Sequence, residues 1–248
     1  MDHTRRAFLA GAGAGAFAVA GAGCSSLSRD GQPSGEPDDG NRSGNRSGDQ
    51  VPVESVADAP VPEDPGAHRY ATMGAGDAPR VTYFGNWKCP YCAQFSTGLL
   101  EEDVLGYVAR GELRLRFRAL SYGGNGDPFL GPDAPRAGEA GLAVWNVDPA
   151  SYWAYHERVF ANQPDESEQW ATTDRLVSFA EAAGVSDPGA VRTAIEEDTY
   201  DAPVRANTEA AVEAGVRGTP SLVADGEVVN PVADPESART LLSELASQ

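Results

Sequence analysis

The sequence predicts an α/β fold in which a sheet is interrupted in mid-chain by an all-helical block. Three observations carry that prediction. Residues 79–119 read strand–helix–strand, residues 133–215 hold helix signals without a convincing strand, and strand character returns only in "PSLVADGEVVN" at 220–230.

The elements follow in order. Residues 67–73 are counted as a first strand, and "PRVTYFGNW" (79–87) is a β-branched and aromatic run of the kind that forms a buried strand. After it, Phe95, Leu99, Leu100, Val104, Leu105 and Val108 recur at helical spacing, and Gly111 stops the pattern. "ELRLRFRAL" then alternates, with Leu113, Leu115 and Phe117 toward one face and Arg114, Arg116 and Arg118 toward the other, as a half-exposed strand does. A strand–helix–strand unit of this length implies parallel pairing with the helix laid across the sheet. Residues 120–131 form a Gly/Asn/Pro loop. Asp148-Pro149, Asp187-Pro188 and Asp234-Pro235 mark helix starts, since aspartate caps orphan N–H groups and proline suits the first turn. The block 133–215 therefore holds four or five helices. Asp225-Gly226 marks a hairpin, and a last helix buries Leu241, Leu242 and Leu245.

Composition bounds the function. The chain has 248 residues, 37 of them acidic against 19 basic, for a formal net charge of −18. That balance argues against nucleic acid, whose binding needs a basic face, and gives no sign of a polybasic grip on anionic lipid. Lys88 is the only lysine, so 18 of the 19 basic residues are arginine. Acidic excess with almost no lysine is the composition of proteins from salt-loving prokaryotes, where a Debye length of about 3 Å at molar salt mutes carboxylate repulsion.

The N-terminus reads as an export signal over residues 1–23. A charged start is followed by a weakly apolar run, Ala7–Gly23, too short for a membrane helix of ~20 apolar residues. Thr4-Arg5-Arg6-Ala7-Phe8-Leu9 resembles the twin-arginine motif, and Ala22-Gly23-Cys24 resembles a lipoprotein cleavage box that would make Cys24 a lipid attachment site. Gly21 departs from the Leu-like residue usual there. Residues 24–65, rich in Ser, Gly, Pro, Asn and Asp, read as a disordered tether, leaving 66–248 as the globular domain. Two Asn-x-Ser acceptors, Asn41 and Asn45, lie in "NRSGNRSG".

The chemistry is carried by "NWKCPYCAQF" (86–95). Cys89 stands where a strand turns into a helix, so backbone N–H groups and the helix dipole favour its thiolate. Pro90 suits the first turn, and Cys92 lies one turn on, close enough to bridge but harder to reach. An exposed nucleophile with a shielded resolving thiol is what thiol–disulfide exchange needs. Far away in sequence, Gly218-Thr219-Pro220 precedes the hairpin.

Together these features resemble the DsbA-family thiol–disulfide oxidoreductases, in their exported, lipid-anchored form, over roughly residues 66–248. The resemblance rests on "FGNWKCPYCAQF", the helical insert and "GVRGTPSLVADGEVV". It implies a thioredoxin-like fold with a mid-chain helical insertion, and Cys89 as the attacking and Cys92 as the resolving cysteine. Trp87 and Tyr91 would flank the exposed sulfur. Thr219 and Pro220 would form a cis-proline loop that receives an extended substrate strand. It further implies no cofactor beyond the Cys89–Cys92 disulfide, exported thiol-containing proteins as substrates, and a membrane partner that recycles the pair. The protein would act at the outer face of the cytoplasmic membrane, as a monomer, since the N-terminal segment is a tether rather than a dimerising domain.

The chain departs from its relatives in carrying Tyr91 where strong oxidants carry His, and in having no acid from Val81 to Lys88. Lys88 adjoins Cys89 as a source of positive charge or, more simply, as a solvent-facing residue.

Rival readings are a reductase or isomerase serving cytochrome or copper-protein assembly, a Cu(I) carrier, and a non-catalytic binding lipoprotein. Zinc has too few ligands: His3, His68 and His156 are not closely spaced. Trp145, Tyr152, Trp153, Tyr155 and Phe160 read as core rather than pocket, and His156 as a surface or satisfied helix residue.

Overall fold

Alternation along residues 113–117 decides how the sheet is loaded. Leu113, Leu115 and Phe117 are buried while Arg114, Arg116 and Arg118 stay half-exposed. In the computed structural model, which describes residues 54–248, five strands form one mixed sheet in the order β1-β3-β2-β4-β5. They are β1 (Thr72–Met73), β2 (Arg80–Gly85), β3 (Arg114–Ala119), β4 (Ser221–Ala224) and β5 (Glu227–Val229). β2 pairs with β3 in parallel, Tyr83 opposite Phe117, and with β4 antiparallel, Tyr83 opposite Leu222. The hairpin forms as the sequence predicts, with Asp225 and Gly226 both at positive φ (49° and 81°), as a two-residue turn of this kind requires. The first strand is shorter than the sequence reading. Only Thr72 and Met73 pair, opposite Arg116 and Leu115.

Between the parallel strands the helix is broken. α1 (Pro90–Ser96) ends in a turn at Thr97-Gly98, a π-helical turn spans Leu100–Val104, and α2 (Leu105–Ala109) follows. The extra residue of a π-turn resets the helical phase. It keeps Leu100, Val104, Leu105 and Val108 all buried, which an unbroken helix from Pro90 would not require. Gly111 ends the run at φ 71°.

The inserted block is helical throughout: α3 (Ala134–Val147), α4 (Tyr152–Ala161), α5 (Thr173–Ala182), α6 (Pro188–Glu196) and α7 (Asp201–Glu213). The aspartates before proline act as read. Asp187 accepts from Ala190 N at 2.9 Å to open α6, and Asp234 from Ser237 N at 3.0 Å to open α8 (Pro235–Ala246). Asp148 accepts from Ser151 N at 3.3 Å ahead of α4. Each cap contributes about 1 kcal/mol. Leu241, Leu242 and Leu245 are buried, as expected of the last helix.

The globular domain starts earlier than composition indicated. Residues 54–65, assigned to the tether by their Pro and Asp content, lie against α4: Val56 is 1% exposed, and Ala57 N donates to Glu157 Oε2 at 2.9 Å. Two buried apolar residues among prolines are too sparse to register as a periodic pattern, so this segment was invisible to sequence reading. The twin-arginine motif, Cys24, Asn41 and Asn45 lie outside the described residues. Among the described residues, no helix is long and apolar enough to cross a membrane.

Candidate redox-active site

β2 ends at Gly85, and the chain must turn from strand to helix within four residues. Asn86, fully buried, fixes that turn. Its Nδ2 donates to Leu120 O and Phe129 O, both at 2.9 Å, and its Oδ1 accepts from Lys88 N at 2.8 Å. One side chain thus ties the β2–α1 turn to the end of β3 and the 120–131 loop. Its backbone serves the cysteines: Asn86 O accepts from Cys89 N at 3.0 Å, and Asn86 N donates to Cys92 Sγ at 3.4 Å. Gln163, just past α4, braces the same turn from the insert, its Nε2 donating to Trp87 O at 2.7 Å and Cys89 O at 3.3 Å.

Cys89 is the N-cap of α1, with Pro90 in the first turn. Its sulfur faces the 218–220 loop across the sheet end, donating to Thr219 O at 3.5 Å, and the Thr219–Pro220 peptide is cis. No backbone hydrogen bond within the described residues takes the Thr219 N–H or carbonyl. Both cysteines are free thiols here. Both cysteines are buried, where the sequence predicts an exposed sulfur at Cys89; Cys89 retains 4% exposure and Cys92 none, so Cys89 is the more accessible of the two.

The two thiols are driven in opposite directions. The Cys89 thiol is pushed down to about 6, chiefly by hydrogen bonding from Cys92. Burial opposes this, but Thr219 and the backbone N–H groups of Cys92 and Tyr91 add to it. Cys92 is pushed well up, by burial first and then by its interactions with Cys89. The Tyr83 hydroxyl, on β2 beneath α1, faces the Cys92 sulfur and lies 3.4 Å from Ser96 Oγ. Burial and the neighbouring sulfur keep that phenol protonated, raising it well above its usual value.

Two neighbours of the pair stand differently from the sequence reading. Trp87 does not flank the exposed sulfur. At 1% exposure it points into the core, stacked on Phe160 at 5.1 Å and edge-on to Phe117 and Tyr155. Gly141 in α3 makes this possible, because a Cβ there would stand 2.7 Å from the indole. Lys88 is not solvent-facing either. It is 1% exposed, ion-paired with Asp133, and donates to Glu168 O at 2.8 Å. The cation therefore faces the insert, and its charge is neutralised there rather than lent to Cys89. Tyr91 alone is open, at 60% exposure, beside the sulfur.

His156 is also corrected: it is fully buried among Trp87, Trp153 and Phe160, with neither ring nitrogen bonded, and burial drives it down to about 3. The aromatic residues of α3 and α4 are core, as read.

Asn86, Gln163 and Tyr83 were missed by sequence reasoning. For Asn86 a signal existed, an amide inside the apolar run "TYFGNW"; for Gln163 there was none, because its partner is 76 residues away.

The thioredoxin family model matches residues 67–244. Disulfide bond formation protein D of Bacillus subtilis is 26% identical over 163 residues, spanning 65% of this chain and 70% of that protein. The probable disulfide bond formation protein D of Bacillus cereus is 28% identical over 162 residues, spanning 64% and 72%. Among solved structures, oxidised BdbD from Bacillus subtilis aligns at a TM-score of 0.65 and 23% identity over 77% of this chain and 98% of that one. The catalytic domain of Proteus mirabilis ScsC aligns at 0.56 and 20% over 73% and 90%. With a cysteine pair split into a more accessible and a wholly buried thiol, and a family match across nearly the whole globular domain, the chain belongs to the thioredoxin family and is a thiol–disulfide oxidoreductase with a DsbA-like fold.

Proposed function

We propose that this protein introduces disulfides into exported proteins through Cys89 and Cys92. The observation that carries the reading is the asymmetry of the pair: Cys89 caps α1 and faces the cis Thr219–Pro220 loop, its thiol pushed down, while Cys92 is wholly buried and pushed up. In the oxidised enzyme a substrate thiolate attacks Cys89 Sγ. The Cys89–Cys92 bond breaks, and its electron pair leaves on Cys92, which takes up a proton beside the Tyr83 hydroxyl. A second substrate thiolate then attacks the substrate sulfur of the mixed disulfide, and Cys89 departs as a thiolate. The substrate loses two electrons and the enzyme gains two. Thr219 offers its backbone N–H to the extended substrate segment beside Pro220, and its carbonyl as well once Cys89 is in a disulfide and no longer donates to it.

Direction follows from the leaving group. At pH 7 a Cys89 thiol near 6 stabilises the reduced enzyme by on the order of 1 kcal/mol, about 20–30 mV for a two-electron couple. The sign favours an oxidase. The magnitude is small beside the roughly 150 mV that separates the strongest oxidant of this superfamily from thioredoxin, so the potential is the quantity to measure. A value near −120 mV in a glutathione series at high salt supports the oxidase. A value near −270 mV moves the protein to the reductase class, serving cytochrome or copper-protein assembly.

The setting belongs to the same proposal. Export through the twin-arginine motif, a lipid on Cys24 and a membrane partner that re-oxidises the pair would place the enzyme at the outer face of the cytoplasmic membrane, as a monomer in a salt-loving prokaryote. Mass measurement of the cell-derived N-terminus tests the anchor: an unmodified or unprocessed Cys24 overturns it.

A further inference from the structure

Five arginines gather around β3, three of them along one of its faces, in a chain whose formal net charge is −18. Arg114, Arg116 and Arg118 leave β3 on the face away from Leu115 and Phe117. Arg80 is the register partner of Arg114 on β2, and Arg69 lies just before β1, whose Thr72 stands opposite Arg116. None of the five is ion-paired to a carboxylate among the described residues.

Arg118 is engaged, donating to Asn207 Oδ1 at 2.7 Å and Ala206 O at 3.0 Å and lying over the Tyr70 ring. Arg114 gives its Nε to Ala78 O at 2.9 Å. The side chains of Arg80 and Arg116 have no hydrogen-bond partner among the described residues. Arg116 lines a cleft of about 190 Å³ together with His68, Arg69, Tyr70 and Thr72.

The crowding is felt within the group. Burial first, then Arg80, Arg118 and Arg114, push the Arg116 guanidinium down to about 10, with Tyr70 acting the other way. His68 is pushed down by burial and then by Arg114, Arg116 and Arg80, against a smaller opposing effect of Asp64. A half-buried cluster of like charges is costly unless a counter-charge completes it. No carboxylate among the described residues pairs with these guanidiniums.

We propose that this cleft is a binding site for a phosphate-class oxyanion, held by Arg116 with Arg80, Arg114 and Arg69 around it. The guanidinium fork matches tetrahedral oxyanions in bidentate fashion, and the two forks that line the cleft, Arg116 and Arg69, with Arg80 and Arg114 beside them, favour a doubly charged anion over chloride or a single carboxylate. The site is separate from the cysteines, because Arg80 opens β2 and Cys89 follows its far end, so occupancy leaves the sulfur open. The inference does not depend on the redox reading.

Two sources share this chemistry, free phosphate and a phospholipid headgroup, and the experiment has an arm for each. The full chain is titrated with inorganic phosphate, and separately with phosphatidylglycerol vesicles, at ionic strength fixed with chloride. Phosphatidylcholine vesicles serve as the neutral control. The expected result is saturable binding in at least one arm, weakened about tenfold or more by Arg116→Gln, with Arg110→Gln, outside the cleft lining and paired to Glu112, unchanged. Binding of phosphate alone marks a soluble ligand, and binding of anionic vesicles alone marks a membrane surface. Arg80→Gln, at an exposed position, carries the same test where Arg116→Gln does not fold. Absence of binding in both arms, an equal response to chloride, or undiminished affinity in the arginine variants overturns the proposal. Thiol–disulfide exchange by the folded variants is expected to match the parent.

Discussion

Two regions meet at residues 86–88 and are held together by opposite means. On the cysteine side, Asn86, Lys88 and Gln163 anchor the turn through directed hydrogen bonds to backbone carbonyls and a carboxylate. On the insert side, Trp87 enters a buried aromatic cluster in which its own Nε1, Tyr155 Oη and both His156 nitrogens have no protein partner. The sulfur must be placed to within tenths of an ångström, and hydrogen bonds supply direction. The aromatic cluster has only to fill volume, and it tolerates unbonded polar atoms that cost about 1–3 kcal/mol each. Position is specified where chemistry happens, and packing suffices elsewhere.

The hardest way to break this contrast is to remove a charge from the polar side. Lys88→Met leaves Asp133 buried and unpaired, and a loss of about 3–5 kcal/mol is expected in the denaturant midpoint. Lys88→Met with Asp133→Leu should recover most of it. A single variant as stable as the parent would mean that the pair is solvated in solution.

Asn86→Ala comes next. It strips the donors from Leu120 O and Phe129 O, with an expected cost of about 2 kcal/mol and a slower reaction at Cys89. Loss of stability with unchanged exchange kinetics would separate the anchor from the chemistry.

The packing side should respond with the other sign. His156→Phe removes two orphaned nitrogens from an aromatic setting and is expected to stabilise by about 1 kcal/mol. It should also remove an acid sensitivity. Burial holds His156 near 3, so unfolding takes up a proton below the ordinary value of 6.5, and stability is lost as pH falls from there toward 3. The slope of stability against pH in that window, compared between parent and variant, is the readout.

Tyr83→Phe sharpens the comparison at its boundary. The ring keeps its edge contacts with Phe95 and Phe117 at 4.8 and 5.0 Å, while the hydroxyl facing Cys92 goes. Stability should change by less than about 1 kcal/mol. Formation of the mixed disulfide, in which Cys92 leaves and takes up its proton, should slow several-fold while release of the oxidised substrate from Cys89 is unchanged; equal slowing of both steps would assign Tyr83 to packing alone.

The smallest effect is a pH signature. The Cys89 thiol is depressed, so its thiolate stabilises the reduced protein fully above the unfolded value of about 8.5, and this advantage is lost as pH falls through about 6. The stability difference between reduced and oxidised forms should grow from pH 6 to 9. The thiolate absorbance of a Cys92→Ala variant gives a separate measure of the Cys89 thiol, with a midpoint expected to rise above 6 because the Cys92 hydrogen bond is lost.

The sheet was legible because its causes are local in sequence. Alternation at 113–117, the Asp-Gly turn and the Asp-Pro helix starts each specify backbone geometry within a few residues. The cysteine spacing is of the same kind. Trp87 and Lys88 were misplaced because a side chain's direction at a strand–helix turn depends on what lies opposite. Here that is Gly141 for the indole and Asp133 for the ammonium, 54 and 45 positions away. The arginine cluster was hidden by summation, since a net charge of −18 says nothing about where the positive charges lie.

By itself, then, the sequence determined the order of elements and the cysteine pair, because short-range patterns encode the backbone and the chemistry of adjacent residues; that the Thr219-Pro220 loop faces the pair was implied by the family resemblance alone. Tertiary structure alone decided that Cys89 too is largely buried, what Lys88 neutralises, where the domain begins and how the arginines gather around β3. Those properties arise from segments far apart in the chain that are brought together in a low-dielectric interior, where burial and neighbouring charge, rather than residue type, set what each group can do.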